Sequence, residues 1–157
     1  MLDKSFRILA KLYDFYASVR YGLTTLQPIS KQILVARNIE NKDNNGFMAA
    51  YLINVKTAIG FLRKSESIHQ VIDLGSGDGR LLGYLSKKLK SVKLIGVEID
   101  SELYNFSKKR YSENNIHFVL GNVFDCNFDY SKSTCLILFN SFGENSLRKL
   151  LNQTVES

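Results

Sequence analysis

The sequence feature that most constrains the fold is a short apolar run that leads directly into three alternating glycines. It is VIDLGSGDGR at residues 71–80, and leucines at helical spacing follow it. Glycines at such a junction allow the backbone to turn sharply and let a ligand approach closer than a Cβ would permit. The N-terminus of the following helix offers free N–H groups that suit a carboxylate or a phosphate. The segment therefore predicts a strand, a glycine-rich binding loop and a helix.

From residue 70 onward, short apolar runs alternate with helical patterns. The predicted strands are Val71–Leu74, Val92–Val97, Ile116–Leu120 and Thr134–Phe139, and the predicted helices are Arg80–Leu89, Ser101–Tyr111 and Asn145–Val155. Strands with little polar alternation are typical of a parallel sheet covered on both faces. The alternation predicts right-handed βαβ units, and therefore an α/β fold with a Rossmann-like, doubly wound, mostly parallel sheet.

Two further helices are predicted before this core. The apolar residues that set the spacing of the first are Ile8, Leu9, Leu12, Tyr16 and Val19. Those of the second are Met48, Tyr51, Leu52, Val55, Ile59 and Leu62. Recurrence at this spacing predicts amphipathic helices. We therefore divide the chain into an N-terminal helical segment, residues 1–68, on the lid or substrate side, and a binding core, residues 69–157.

An acid at the tip of the second predicted strand narrows the choice of ligand. Glu98 lies 19 residues beyond the last of the three glycines, where a carboxylate can accept hydrogen bonds from the ribose hydroxyls of an adenosine. A dinucleotide fingerprint that starts at Gly75 or Gly77 would need glycine where Arg80 or Leu82 stands, and no GK[ST] triplet occurs. The pattern favours an adenosine ligand and leaves a nicotinamide-dependent oxidoreductase as a disfavoured alternative.

At these residues the chain resembles the class I S-adenosylmethionine-dependent methyltransferases, whose first motif is an acid followed by GxGxG. The resemblance implies a seven-strand Rossmann-like fold, S-adenosylmethionine as the cofactor, and methyl transfer as the reaction. It implies that Asp73 lines the methionine end, that Glu98 binds the ribose and that Ile99 flanks the adenine. Asn122 stands where the family usually has an acid that contacts the adenine amino group. The implied cofactor-binding residues are Asp73, Gly75, Ser76, Gly77, Asp78, Gly79, Glu98, Ile99, Asn122 and Val123.

The acceptor side is expected at the end of the fourth strand. FNSFGE at residues 139–144 is similar to FNPFGE in a group of bacterial methyltransferases, and DLGSGDGR resembles the Dot1-like protein-lysine type. RYGLTT at residues 20–25 is similar to an RYG-x-x-T segment that precedes the core in such enzymes. We expect Asn140 and Glu144 to shape the acceptor pocket, and Glu144 or Tyr21 to help remove a proton from an amine. A protein side-chain amine is the leading acceptor, with a small molecule or RNA as alternatives.

Composition excludes several other classes. No apolar run reaches the roughly 20 residues that a membrane-spanning helix needs, and charges interrupt the N-terminus where a signal peptide would be apolar. Cys126 and Cys135 have no CxxC spacing and no neighbouring histidine, so we expect buried thiols, no metal site and a cytoplasmic location.

Positive charge is concentrated in the N-terminal segment. Residues 1–68 hold ten Lys or Arg against five Asp or Glu. This excess is typical either of solvated helix faces or of a surface that binds an acidic partner.

Four of the family's seven strands can be identified, and the resemblance orders them 3-2-1-4. The fourth, residues 134–139, would leave one apolar edge, which proteins normally cover. A fragment, a truncated gene product and a sheet completed by another subunit, such as a homodimer through this edge, therefore stay open. The alternative function is a truncated, non-catalytic module that binds S-adenosylmethionine or depends on a partner.

Overall fold

A parallel four-stranded sheet in the order β3-β2-β1-β4 forms the centre of the computed structural model of this chain. The structure describes residues 4–23, 50–64, 68–112, 114–129, 132–139 and 141–155. Its helices and strands are α1 (Lys4–Tyr21), α2 (Leu52–Lys64), β1 (Gln70–Leu74), α3 (Arg80–Lys88), β2 (Lys93–Glu98), α4 (Ser101–Arg110), β3 (Ile116–Leu120), a 3-10 turn (Val123–Asp125), β4 (Thr134–Leu138) and α5 (Glu144–Val155).

The register aligns the carboxyl ends of the strands at one edge of the sheet. Ile72 of β1 is level with Ile95 of β2 and with Leu136 of β4, and Glu98 of β2 is level with Leu120 of β3. Each observed strand pair is parallel. The predicted fold class and strand order are therefore confirmed, and the loops that follow the strands meet at one edge.

The predicted α2 begins too early. Residues 50 and 51 are not helical, and the helix begins at Leu52, whose N–H donates to Asp14 Oδ1 at 2.8 Å. The cap of α2 thus comes from a side chain on α1, far away in sequence, and no local pattern could indicate it. Met48 lies outside the described residues. The other boundaries agree with the predictions to within one or two residues.

Both faces of the sheet are covered, as the apolar strands predict. Every residue of β1 is buried. On one face the side chains of Val71, Leu94 and Phe118 pack with α2 and α3. On the other face, Ile72 and Val97 are in a core that α5 completes with Leu150. The period-two alternation of these buried residues follows from strand geometry.

The N-terminal helices belong to the first of these cores. Ala10 and Ala17 of α1 and Leu52 of α2 are at most 1% exposed, and the Tyr13 and Tyr84 hydroxyls lie 2.7 Å apart. Residues from both sides of the proposed division at 68–69 therefore contact each other. The division into a helical segment and a binding core remains a prediction.

Both cysteines are partly buried free thiols, and burial raises the pKa of Cys126 and of Cys135. Within the described ranges, no three His, Cys, Asp or Glu side chains are grouped so as to hold a metal ion. None of the described helices combines the length and the apolar character needed to cross a membrane.

Candidate functional site

The glycine-rich loop between β1 and α3 adopts a conformation that favours glycine at each alternate position. Gly75, Gly77 and Gly79 have φ values of +79°, +55° and +71°, in the left-handed region that side chains with a Cβ rarely adopt. Gly75 N and Ser76 N both donate to the carbonyl oxygen of Val97, at 2.9 and 2.8 Å. The loop therefore folds back over the end of β2.

Two of these glycines are also required by close packing. A Cβ on Gly75 would lie 2.6 Å from Ser141 Oγ, and one on Gly79 would lie 2.8 Å from the Cβ of Ser107 and 2.9 Å from the ring of Phe118. The first contact brings the segment after β4 directly against the loop. The second holds the start of α3 against α4 and β3.

Glu98 links the end of β2 to this loop. Its side chain is buried, and its Oε2 accepts a hydrogen bond from Gly77 N at 2.7 Å. Its Oε1 accepts from Ile99 N at 2.8 Å and Asp100 N at 2.9 Å. Burial raises the pKa of Glu98 above its ordinary 4.5, and the three backbone N–H groups oppose that rise. A carboxylate offers about four acceptor positions, so one remains for a ligand hydroxyl.

Buried acids surround the loop. Asp73, Asp78, Glu98 and Asp100 are each at most 6% exposed. Burial raises the pKa of Asp73 well above its ordinary 3.8, and the neighbouring charges of Glu98 and Asp78 raise it further. Asp100 is also the N-cap of α4 and accepts from Glu102 N at 2.8 Å. A site with this charge suits a ligand that carries a positive group.

Asn122 follows β3 at the same edge of the sheet. Gly121 N donates to the Glu98 carbonyl oxygen at 2.9 Å, which fixes the end of β3 beside the end of β2. The Asn122 side chain caps the 3-10 turn by accepting from Phe124 N at 3.2 Å. Val123 is buried in the core with Val97. The structure therefore brings Glu98, Asn122 and Val123 together, and the adenine contact of Asn122 stays a prediction.

The three predicted catalytic residues have different outcomes. Asn140 lies outside the described residues. Glu144 is the first residue of α5, and its carboxylate, which is 75% exposed, pairs with Arg148 at 2.7 Å. The third, Tyr21, ends α1, and its hydroxyl accepts a hydrogen bond from Lys88 Nζ at 2.5 Å, which lowers the pKa of Tyr21.

Tyr21 is not brought to the glycine-rich loop. Lys88 is the last residue of α3, whereas the loop precedes its first residue. Nine residues of α-helix span about 13 Å. Thr24 and Thr25, the rest of the RYG-x-x-T resemblance, are outside the described residues. The described geometry thus gives no support to Tyr21 as the base.

Comparison with known families decides between the classes that this geometry allows. The family described as "Methyltransferase domain" matches residues 71–156. The chain belongs to this family. The matched range includes the glycine-rich loop, Glu98, Asn122 and Glu144, so the sequence-based family assignment is confirmed and the nicotinamide-dependent alternative is set aside.

Solved structures match this chain over part of its length. The plantazolicin methyltransferase BpumL, in complex with a monoazolic desmethylPZN analog and SAH, shares 20% identity over 48% of this chain and 28% of its own, with a TM-score of 0.41. A dimethyladenosine transferase from Plasmodium falciparum shares 21% over 66% of this chain and 37% of its own, with a TM-score of 0.49. This chain thus spans about a third of their length. No curated protein matches it.

Sequence reasoning missed two features of this methyltransferase domain. The first is Ser141, whose contact with Gly75 places it next to the loop; it lies in the FNSFGE segment, yet no local signal distinguishes it from its neighbours. The second is Arg80, the residue directly after the loop, which is 4% exposed. Its guanidinium pairs with Asp14 of α1 at 3.3 Å and donates to Ser18 Oγ at 3.1 Å. Arg80 therefore anchors α1 to the first turn of α3.

Proposed function

We propose that this chain binds S-adenosylmethionine through the glycine-rich loop and Glu98, and that it transfers the methyl group of that cofactor to an acceptor. The observation that carries the proposal is the contact of the Glu98 carboxylate with Gly77 N at 2.7 Å. It joins the tip of β2 to the loop after β1, the two elements between which an adenosine binds in this type of fold.

The site residues fit such a cofactor by charge and by shape. The positive φ values of the three glycines let the loop turn tightly at the end of β1, so that its backbone N–H groups can lie close to a ligand. A cationic ligand group beside the buried acids Asp73 and Asp78 would favour their charged forms and would itself be stabilised by them. The fourth acceptor position of Glu98 is available for a ribose hydroxyl. When bound, S-adenosylmethionine supplies an electrophilic sulfonium methyl group.

The chain's own contribution to the reaction is positioning. Asp73 holds a proton more tightly than an exposed carboxyl does, since burial raises its pKa. A cationic ligand group beside it would lower that pKa and lead to release of the proton. Ser141, on the connection from β4 to α5, contacts Gly75 of the loop, and we expect the acceptor to enter beside it. Alignment of donor and acceptor can supply roughly 7–11 kcal/mol of a barrier at most.

Calorimetric titration with S-adenosylmethionine and with S-adenosylhomocysteine tests the cofactor. We expect Glu98→Gln to weaken binding by about 10–100-fold, because hydrogen bonds to charged groups contribute about 1.5–3 kcal/mol. The matched control is Glu102→Gln, the same change on an exposed acid of α4. A folded wild-type chain that binds neither compound would refute the proposal, and so would equal affinities for both variants.

For the acceptor, we propose a protein side-chain amine. Support comes from Glu144, an exposed carboxylate at the start of α5, near the segment that contacts the loop. Such a carboxylate can attract a cationic amine and accept its proton. Ser141, on the same connection, offers a hydroxyl close to Gly75.

The acceptor is tested with labelled S-adenosylmethionine and three substrates: a lysine-rich peptide, the same peptide acetylated on its lysines, and an RNA. We expect label only in the first, and a loss of turnover on the order of 10²-fold for Glu144→Gln. Glu102→Gln again serves as the control. Label in the RNA alone, or unchanged turnover by Glu144→Gln, would contradict the amine assignment while leaving the cofactor proposal to the titration.

A further inference from the structure

Helix α1 has an apolar face directed away from the protein. Its inner side packs on the core through Ala10 and Ala17, both fully buried. On the opposite side, large apolar side chains are each more than half exposed. We call these residues the outer face of α1: Ile8 (54%), Leu9 (55%), Leu12 (61%), Phe15 (72%), Tyr16 (55%) and Val19 (72%).

The outer face is a continuous stripe. At 3.6 residues per turn, its six side chains fall within an arc of roughly 120°. From Ile8 to Val19 the stripe extends over roughly 16 Å of helix. Single exposed apolar residues are normal in proteins, but a contiguous apolar patch marks a binding surface.

The charged side chains that border this stripe on α1 are all positive. Arg7 and Lys11 are exposed along one border and Arg20 along the other. The only acid in the α1 sequence, Asp14, is on the inner side and pairs with Arg80. Lys56 of α2 adds a further cation beside α1, 5.4 Å from the centre of the Tyr13 ring.

The arrangement of charge and apolar surface discriminates between occupants. A second copy that packed outer face on outer face would bring the same bases close together, and like charges repel. A nucleic acid would neutralise the bases but leave the apolar stripe between them exposed to water. An anionic lipid surface satisfies both parts, because an interfacial helix buries an apolar face at the acyl boundary with Lys and Arg near the headgroups.

We propose that the outer face of α1 docks flat on an anionic membrane surface. The inner face is fixed by Asp14 and Arg80, so α1 presents a single side, which a planar surface can accept without unfolding the helix. Phe15 and Tyr16 add exposed aromatic rings to the outer face, and aromatic side chains are common on helices that lie in a bilayer interface. The bases pair with lipid phosphate and carboxylate groups. The docking would hold the methyltransferase domain at the bilayer surface.

Sedimentation of the full chain with vesicles tests the proposal. One set of vesicles contains phosphatidylcholine alone and the other contains phosphatidylcholine with phosphatidylserine. We expect binding to the anionic vesicles at least about tenfold tighter than to the neutral ones, with loss of binding at high salt. We expect Leu12→Ser with Phe15→Ser to weaken that binding by about tenfold or more.

The control variant is Leu147→Ser, on α5, which packs on the opposite face of the sheet. Thermal melting of each variant verifies that it is folded, and titration with S-adenosylhomocysteine separates this proposal from the proposed function. Equal sedimentation by the α1 variant and the wild type would overturn the docking. It would also be overturned by dimerisation through α1 in solution, or by binding to an acidic protein without binding to vesicles.

Discussion

The contact between Arg80 and Asp14 gives the strongest prediction about stability. The Arg80 side chain is 5% exposed and that of Asp14 is 19% exposed, and the two are 3.3 Å apart. Removing one partner of a buried pair costs about 3–5 kcal/mol, because the other charge is left buried without compensation. With Asp14 partly exposed, we expect the lower end of that range, about 3 kcal/mol of unfolding free energy, for each single variant.

The variants are Asp14→Asn and Arg80→Met. Asparagine retains an oxygen that can accept from Leu52 N, so the cap of α2 persists while the charge is lost. Methionine keeps much of the buried aliphatic volume of Arg80 without its charge. We expect the double variant to lose about 2 kcal/mol less unfolding free energy than the two single variants lose together. The reason is that neither buried charge then remains without a partner.

Urea unfolding followed by circular dichroism measures these free energies. The matched control is the exposed pair of Glu144 with Arg148, whose side chains are 75% and 73% exposed. For Glu144→Gln with Arg148→Met we expect a coupling of about 0.3–0.5 kcal/mol. Additive effects at Asp14 and Arg80, to within about 0.5 kcal/mol, would refute the reasoning that α1 is held to the loop by a charge pair.

Two further predictions concern glycine packing and pH. A Cβ on Gly83 would lie 2.8 Å from Cζ of Tyr111, whereas one on Gly60 would meet nothing within 4 Å. In the same unfolding assay we expect Gly83→Ala to destabilise the protein by about 1–3 kcal/mol and Gly60→Ala to stabilise it by about 0.5–1 kcal/mol. A Gly83→Ala variant more stable than Gly60→Ala would contradict this packing. Burial, reinforced by Glu98, raises the pKa of Asp73 well above 3.8, so the folded state binds this proton more tightly than the unfolded state. Its contribution to the unfolding free energy therefore grows as the pH falls from neutral through the raised pKa. We expect Asp73→Asn to stabilise the empty protein at pH 7 and to flatten the pH profile of unfolding; an unchanged profile would show that Asp73 is not the source.

The sequence is sufficient to predict the core and the closeness of Glu98 to the glycine-rich loop. The order of strand, glycine loop and helix at residues 71–80 depends on local conformational preferences, so it could be inferred without a structure. The spacing to Glu98 was also informative. In a parallel sheet the carboxyl ends of successive strands meet at one edge, and a carboxylate at the tip of β2 must therefore lie near the loop after β1.

Helix α1 shows that the spacing of apolar residues does not reveal which face of a helix is buried. Its spacing correctly predicts an amphipathic helix, yet residues that define the spacing, such as Ile8 and Val19, are exposed. Ala10 and Ala17 face the core instead, because small side chains let α1 approach α2 closely. A sequence pattern identifies an apolar face, but it does not reveal what that face contacts.

The remaining features depend on contacts between residues far apart in the chain. Arg80 and Asp14 are separated by 66 positions, and nothing near either residue indicates its partner. The role of Tyr21 as a base stays a prediction, and the structure places its hydroxyl beside Lys88, at the end of α3 opposite the loop. The sequence alone determined the elements and the order in which they bring Glu98 to the glycines, because those follow from local preference and strand direction. Only the tertiary structure decided which helix faces and charges meet, because that depends on how the elements pack against one another.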